Sequence, residues 1–168
     1  MITRSHTHNG KQYLFEYTEC DSFDHLIDYP IRQVRSVTVC DDKFVIVLNK
    51  NKSYGHPGGT LEKDETVALA LKRELLEETS CSLIWWKPLG VQKVTEIENG
   101  KIYYQVRVVS EVAFAEFTGD PDDGIIACEH VNFKEMNKKV NWYKIGDKIL
   151  EKSLKLLKEN KNDIDLLK

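Results

Sequence analysis

The sequence predicts an α/β protein in which a mixed sheet is flanked by helices. Three observations lead there. Apolar runs of strand type come early in the chain. A helical stripe over residues 66–78 separates them from two further β-rich stretches. A second helical stripe closes the chain. Within the first run, Ile31–Cys40, the residues Ile31, Val34, Val37 and Val39 recur as in a strand. Asp41-Asp42 has the composition of a turn. Residues 44–48 (FVIVL) are continuously apolar, as in a central strand buried on both faces. Residues 49–53 are polar and read as a loop. Thr66 is suited to cap a helix, and Ala68, Leu71 and Leu75 would face the core from it. Residues 83–94 and 102–117 are rich in β-branched and aromatic side chains and read as strands. Residues 119–124 (GDPDDG) form a loop, and residues 131–133 a short strand. From Trp142 onward, Ile145, Ile149, Leu156 and Leu157 form an apolar stripe among lysines. A helix docked on the sheet is the commoner use of that pattern, and an amphipathic membrane helix the alternative. Residues 1–11 are polar and read as a flexible terminus.

Composition narrows the function. A length of 168 residues suits one domain with a sizeable core. The net charge of -3 is too mild for a nucleic-acid-binding surface and points instead to a small-molecule partner. No apolar run is long enough to cross a membrane, and residues 1–11 lack the apolar core of a signal peptide. Cys20, Cys40, Cys81 and Cys128 are widely spaced, as expected of reduced thiols in a cytoplasmic protein. The five histidines show no zinc-site spacing.

The informative segment is residues 58–81, GGTLEKDETVALALKRELLEETSC. Glu74, Glu77 and Glu78 stand at i, i+3 and i+4, so their carboxylates share one helix face and repel one another. Arg73, four residues before Glu77, offsets part of this. A divalent cation offsets more, and carboxylate oxygens are the hard ligands that magnesium and manganese prefer. Taken alone, a glutamate-rich helix face is ordinarily just solvated. The preceding loop changes that balance. Gly58-Gly59 brings bare backbone close to a metal or a phosphate. Glu62 and Glu65 then add two more acids before the helix. An acidic site can meet an anionic polyphosphate only with cations between them.

This segment resembles the Nudix box, G-x5-E-x7-R-E-U-x-E-E-x-G-U, where U is a bulky aliphatic residue. Gly59 matches the first glycine, Glu65 the first acid, Arg73-Glu74 the central pair, Leu75 the aliphatic residue and Glu77-Glu78 the paired acids. Two positions depart. Ser80 stands where the box has glycine, and Cys81 where it has an aliphatic residue. The glycine is suited to a left-handed helix cap, so Ser80 should strain that cap or force another exit.

The resemblance implies a single Nudix domain over residues 1–168 with its box at residues 59–81. It implies an α/β/α sandwich around a mixed sheet. It also implies hydrolysis of a nucleoside diphosphate derivative with Mg2+ or Mn2+. It makes Glu77 and Glu78 metal ligands, with the Gly58 carbonyl a further one. Glu74 becomes either a ligand or the base that deprotonates the attacking water. Arg73 orients a glutamate by a charge-assisted hydrogen bond. Gly59 and Glu65 belong to the loop beneath the substrate, with Glu65 bracing loop and helix rather than touching metal. Relatives often draw one more acid from outside the box. Asp120, Asp122 and Asp123 are at hand, with Glu116 and Glu129 nearby, and Asp123 is the choice made here.

The substrate is reached by elimination. Residues 89–120 lack the proline that marks the ADP-ribose group, and paired cysteines for a zinc ribbon are absent. The remaining default is a MutT-like pyrophosphatase acting on a nucleoside triphosphate, canonical or oxidised. Asn141 would read the purine edge, with Phe133 and Trp142 stacking on it. A helix-capping asparagine beside core aromatics explains the same residues. The alternatives are a nucleotide-sensing module that does not cut, a hydrolase of ADP-ribose or dinucleoside polyphosphates, and an isoprenoid diphosphate isomerase using Cys40 or Cys128.

Overall fold

Strand β3 (Ile31–Cys40) runs through the middle of one mixed sheet and is its key element. The computed structural model describes residues 1–122, 124–140 and 143–160. On one side β3 pairs in parallel with β7 (Ile102–Ala113), placing Arg35 opposite Arg107. The sheet continues antiparallel through β6 (Ser82–Glu96), β2 (Lys11–Glu19) and β1 (Ile2–His8). On its other side β3 pairs with β4 (Lys43–Asn49) across the Asp41-Asp42 turn, but only over Thr38, Val39 and Cys40. β4 also pairs with β5 (Tyr54–Gly55) and with β8 (Ile125–Val131).

Each face of the sheet is covered, because the central strands are apolar on both. Helix α1 (Val67–Thr79) buries Ala70, Leu71 and Leu75 against Val34, Val45, Val106 and Val108. On the opposite face, α2 (Phe133–Lys139) and α3 (Tyr143–Asn160) bury Met136, Ile149 and Leu157 against Val37, Val39, Phe44 and Ile46. The terminal stripe therefore docks on the sheet. Among the described residues, no helix is long and apolar enough to cross a membrane. The result is the α/β/α sandwich that the resemblance implied.

Three expectations need correction. The polar N-terminal residues are not a loose terminus. They form the β1–β2 hairpin, turned by Asn9 and Gly10 at φ 48° and 77°. A two-residue turn with both φ values positive matches the twist of paired strands, and Asn-Gly favours it. Residues 131–133 are not a strand of their own. Val131 ends β8, which begins at Ile125, and Phe133 opens α2. Asn132 caps that helix, and its side chain and that of Glu135 reciprocally satisfy each other's backbone N–H groups. Finally, β7 ends at Ala113 rather than at residue 117.

Ser80 takes the left-handed cap conformation itself, at φ 60° and ψ 2°, and its N–H bonds to the Leu76 carbonyl. A side chain in this region is strained. Ser80 offsets the strain by accepting the Thr118 backbone N–H at 3.0 Å, with a second contact to the Thr118 hydroxyl. Ser80→Ala keeps the strain and loses these bonds, so it should destabilise the fold by about 1 kcal/mol. Ser80→Gly removes both and should lie within about 0.5 kcal/mol of the parent. Urea denaturation of the two variants distinguishes these outcomes.

Candidate active site

The loop before α1 takes the place beside β3 that β4 leaves empty. Ser36 N–H bonds to Pro57 O at 2.9 Å, Val34 N–H to Gly59 O at 3.0 Å, and Leu61 N–H to Arg32 O at 3.0 Å. This approach needs glycine. A Cβ on Gly58 would stand 2.3 Å from the Val34 carbonyl oxygen, and Gly58 itself has φ 128°. A Cβ on Gly59 would lie 2.2 Å from a carboxylate oxygen of Glu74.

Arg73 gathers the box acids. Its Nε and one terminal nitrogen grip both oxygens of Glu65 at 3.0 and 2.9 Å. The same terminal nitrogen donates to Thr60 O at 3.0 Å. The other donates to Glu74 and to Glu77, each at 2.9 Å. Glu65 is thereby held below the usual carboxylate range, chiefly by its hydrogen bonds from Arg73. It also accepts the Glu62 N–H, which closes the loop upon itself.

Glu74 and Glu78 lack comparable compensation. Burial raises the Glu74 carboxyl, with Arg73 opposing. Burial pushes Glu78 up to about 7, against Arg35 and the Gly58 N–H, which donates to it at 2.7 Å. Desolvated carboxylates facing one another call for a cation, and the donors are all hard oxygens. The set therefore fits a divalent metal ion such as Mg2+. Among the described residues, no three such side chains converge on one point as they stand. Arg73 draws Glu74 and Glu77, while Gly58 holds Glu78, so a cation requires these side chains to turn toward it.

Beside the loop lies a cavity of about 560 Å³ between α3 and the sheet. Gly55 and His56 form its edge toward the box, and Arg35, Arg107, Gln105 and Gln92 lie along its sheet side. Arg35 donates to His56 O at 3.1 Å, which ties the cavity to the loop. Gln105 accepts from Gln92 at 3.0 Å and from Arg107 at 2.8 Å.

The structure brings Gly58, Gly59, Glu65, Arg73, Glu74, Glu77 and Glu78 together. Phe133 does not line the cavity. Its ring packs against Phe44 on the core, 6.1 Å between centroids, because α2 begins there. Asp123, Asn141 and Trp142 lie outside the described residues. Of the other acids considered, Asp120 accepts the backbone N–H groups of Asp122, Gly124 and Ile125, and Glu129 is engaged by Tyr54 and Lys139. Neither Cys40 nor Cys128 lines the cavity; both pack at the α1-side core. Sequence reasoning missed Arg35, Arg107, Gln92 and Gln105. They come from three strands and have no common motif. Their one sequence signal is a charge or amide inside an otherwise apolar strand.

Comparisons agree with this fold. The NUDIX domain matches residues 30–152. Among solved structures, the Bacillus subtilis pyrophosphohydrolase BsRppH (an E68A mutant) is similar, with a TM-score of 0.66 and 22% identity over 89% of this chain and 92% of that one. A Nudix hydrolase from Nitrosomonas europaea has a TM-score of 0.54 and 26% identity over 73% and 86%. The NUDIX domain of Shewanella oneidensis NrtR, complexed with ADP ribose, has a TM-score of 0.59 and 13% identity over 77% and 92%. No curated protein matches the sequence. The chain belongs to the Nudix family. It is an enzyme, a phosphoanhydride hydrolase of a class that acts on nucleoside diphosphate derivatives and generally uses divalent metal ions.

The two loop glycines should fail differently. Gly58→Ala drives a Cβ into fixed backbone at a positive φ and should cost about 3 kcal/mol or more. Gly59→Ala meets only the end of the Glu74 side chain, so it should stay folded while displacing that carboxylate. Thermal denaturation beside an activity assay separates the two.

Proposed function

We propose that this enzyme hydrolyses a nucleoside triphosphate, canonical or oxidised, to the monophosphate and pyrophosphate, with Mg2+ as the metal and Mn2+ able to replace it. The observation that carries the reading is the juxtaposition of two charged surfaces. Arg35 lies near enough to the box acids to lower Glu74 and Glu78, and it also lines a cavity whose described lining includes three arginines and no acid. A metal-bridged polyphosphate complements both. The Bacillus subtilis protein of the same fold is named a pyrophosphohydrolase, which is in keeping with cleavage of a phosphoanhydride here.

In this reading Glu77, Glu78 and the Gly58 carbonyl hold the metal. A bound divalent ion supplies charge neutralisation across the phosphates and lowers the pKa of a water molecule. Glu74 is assigned as the proton acceptor, since it shares a helix face with Glu77 and is held beside it by Arg73. Arg73 keeps Glu74 and Glu77 at fixed positions, and Glu65 fixes Arg73. Gly59 leaves room for Glu74 beneath the substrate. The water oxygen bonds to the α-phosphorus as the bridging P–O bond breaks. The bond's electron pair leaves with pyrophosphate, and the water proton passes to Glu74. Four cysteines without a disulfide suit a cytoplasmic location, and the net charge of -3 suits a free nucleotide rather than a nucleic acid.

The test is turnover of canonical and 8-oxo nucleoside triphosphates, ADP-ribose and diadenosine polyphosphates with Mg2+, reading phosphate and pyrophosphate separately. Glu77→Gln and Glu78→Gln should each lower kcat on triphosphates roughly 100-fold or more. Release of phosphate alone, or preference for ADP-ribose, would overturn the proposed reaction. Nucleotide binding without any turnover would favour a sensing module.

A further inference from the structure

Arg35 and Arg107 are register partners on the parallel strands β3 and β7. Their side chains therefore rise from the same face of the sheet, and both line the cavity. Arg4 adds a third cation at that wall, with its guanidinium 3.4 Å from the centre of the Tyr143 ring. No described lining residue is an aspartate or glutamate, although the chain carries 27 acids against 24 lysines and arginines.

Among the described residues, the hydrogen bonds of the arginine pair go to neutral oxygens only. Arg35 donates to His56 O, and Arg107 to Gln105 Oε1 and Val106 O. Burial, and then the neighbouring Arg35, hold the Arg107 guanidinium down to about 10. Arg35 repels the Arg107 guanidinium, and without an anion Arg107 does not recover the solvation it has lost. A phosphoryl group recovers it best, because two of its oxygens match the guanidinium fork. Arg35 also lies near enough to the box to lower both Glu74 and Glu78, so such a group would adjoin the reacting phosphates.

We infer that Arg35 and Arg107 form a subsite for a phosphoryl group beyond the cleaved anhydride, and that this subsite selects triphosphates over diphosphate-linked compounds. In a nucleoside diphosphate joined to a sugar, both phosphates are occupied at the anhydride, and a neutral sugar meets the arginines. In a triphosphate one phosphate remains for them, the outer one of the leaving pyrophosphate. The selection rests on the triphosphate reaction proposed above, whereas the anion subsite itself stands on the charges of the cavity alone.

Sodium tripolyphosphate titrated calorimetrically into the intact protein in EDTA isolates the subsite, because the box acids without metal repel an anion. The parent should bind. Arg35→Gln and Arg107→Gln should each bind about 10- to 100-fold more weakly, while Glu77→Gln should bind at least as well as the parent. Arg107→Lys keeps the charge and should retain part of the affinity. With no ligand, the thermal midpoint of Arg107→Gln should not fall, since the change removes a repulsion. With Mg2+, Arg107→Gln should raise KM for nucleoside triphosphates and leave KM for ADP-ribose or UDP-glucose unchanged. Tripolyphosphate binding that is equal in Arg107→Gln and the parent would overturn the subsite. Equal losses on triphosphates and on diphosphate-linked substrates would overturn the selection. Arginine-dependent tripolyphosphate binding in a protein that cleaves no triphosphate would support the subsite and sink only the proposed reaction.

Discussion

Arg73 donates hydrogen bonds to Glu65, Glu74, Glu77 and the Thr60 carbonyl, and these five bonds use all the donors of a guanidinium. Most of the local geometry follows from that. Glu65 and Thr60 belong to the loop, whereas Glu74 and Glu77 belong to the helix. One side chain thus joins two segments that would otherwise meet as a crowd of like charges. A lysine has the same charge but lacks the planar fork, so it could not hold the two oxygens of Glu65 while also reaching two further carboxylates.

The loop's other anchor is β3. Because β4 pairs with β3 only near the turn, the remaining half of the strand edge is open, and residues 57–61 occupy it with backbone hydrogen bonds. The loop that opens the box is therefore fastened like an extra strand. That explains why bare backbone is needed at Gly58, whose neighbour across the gap is the Val34 carbonyl. It also sets the electrostatic order of the site. Arg35 belongs to the same strand segment, so its charge is delivered between the box acids and the cavity by the pairing that holds the loop.

The departures show where local rules yield. Ser80 was expected to resist the left-handed cap, but a tertiary partner, Thr118, supplies hydrogen bonds that glycine could not accept. The N-terminal hairpin went unread because an edge strand solvated on both faces carries little apolar alternation; its signal lay in the Asn9-Gly10 turn instead. Phe133 was assigned to a substrate, yet its ring packs on Phe44, since an aromatic just past a strand end serves the core equally well.

Spacing along the chain is enough to mark the box, the identities of its acids and the helix that presents them. A fixed spacing on one helix already puts Glu74, Glu77 and Glu78 on one face, and apolar periodicity alone marks β3, β4, α1 and α3. Local periodicity carries such information because neighbours in the chain are neighbours in the element. The cavity floor exists only once distant strands have paired. Arg35, Arg107, Gln105 and Gln92 meet through a parallel pairing of β3 with β7 and an antiparallel pairing of β7 with β6. Strand order and register between segments this far apart come from burying two faces of one sheet at once, and no local pattern encodes them.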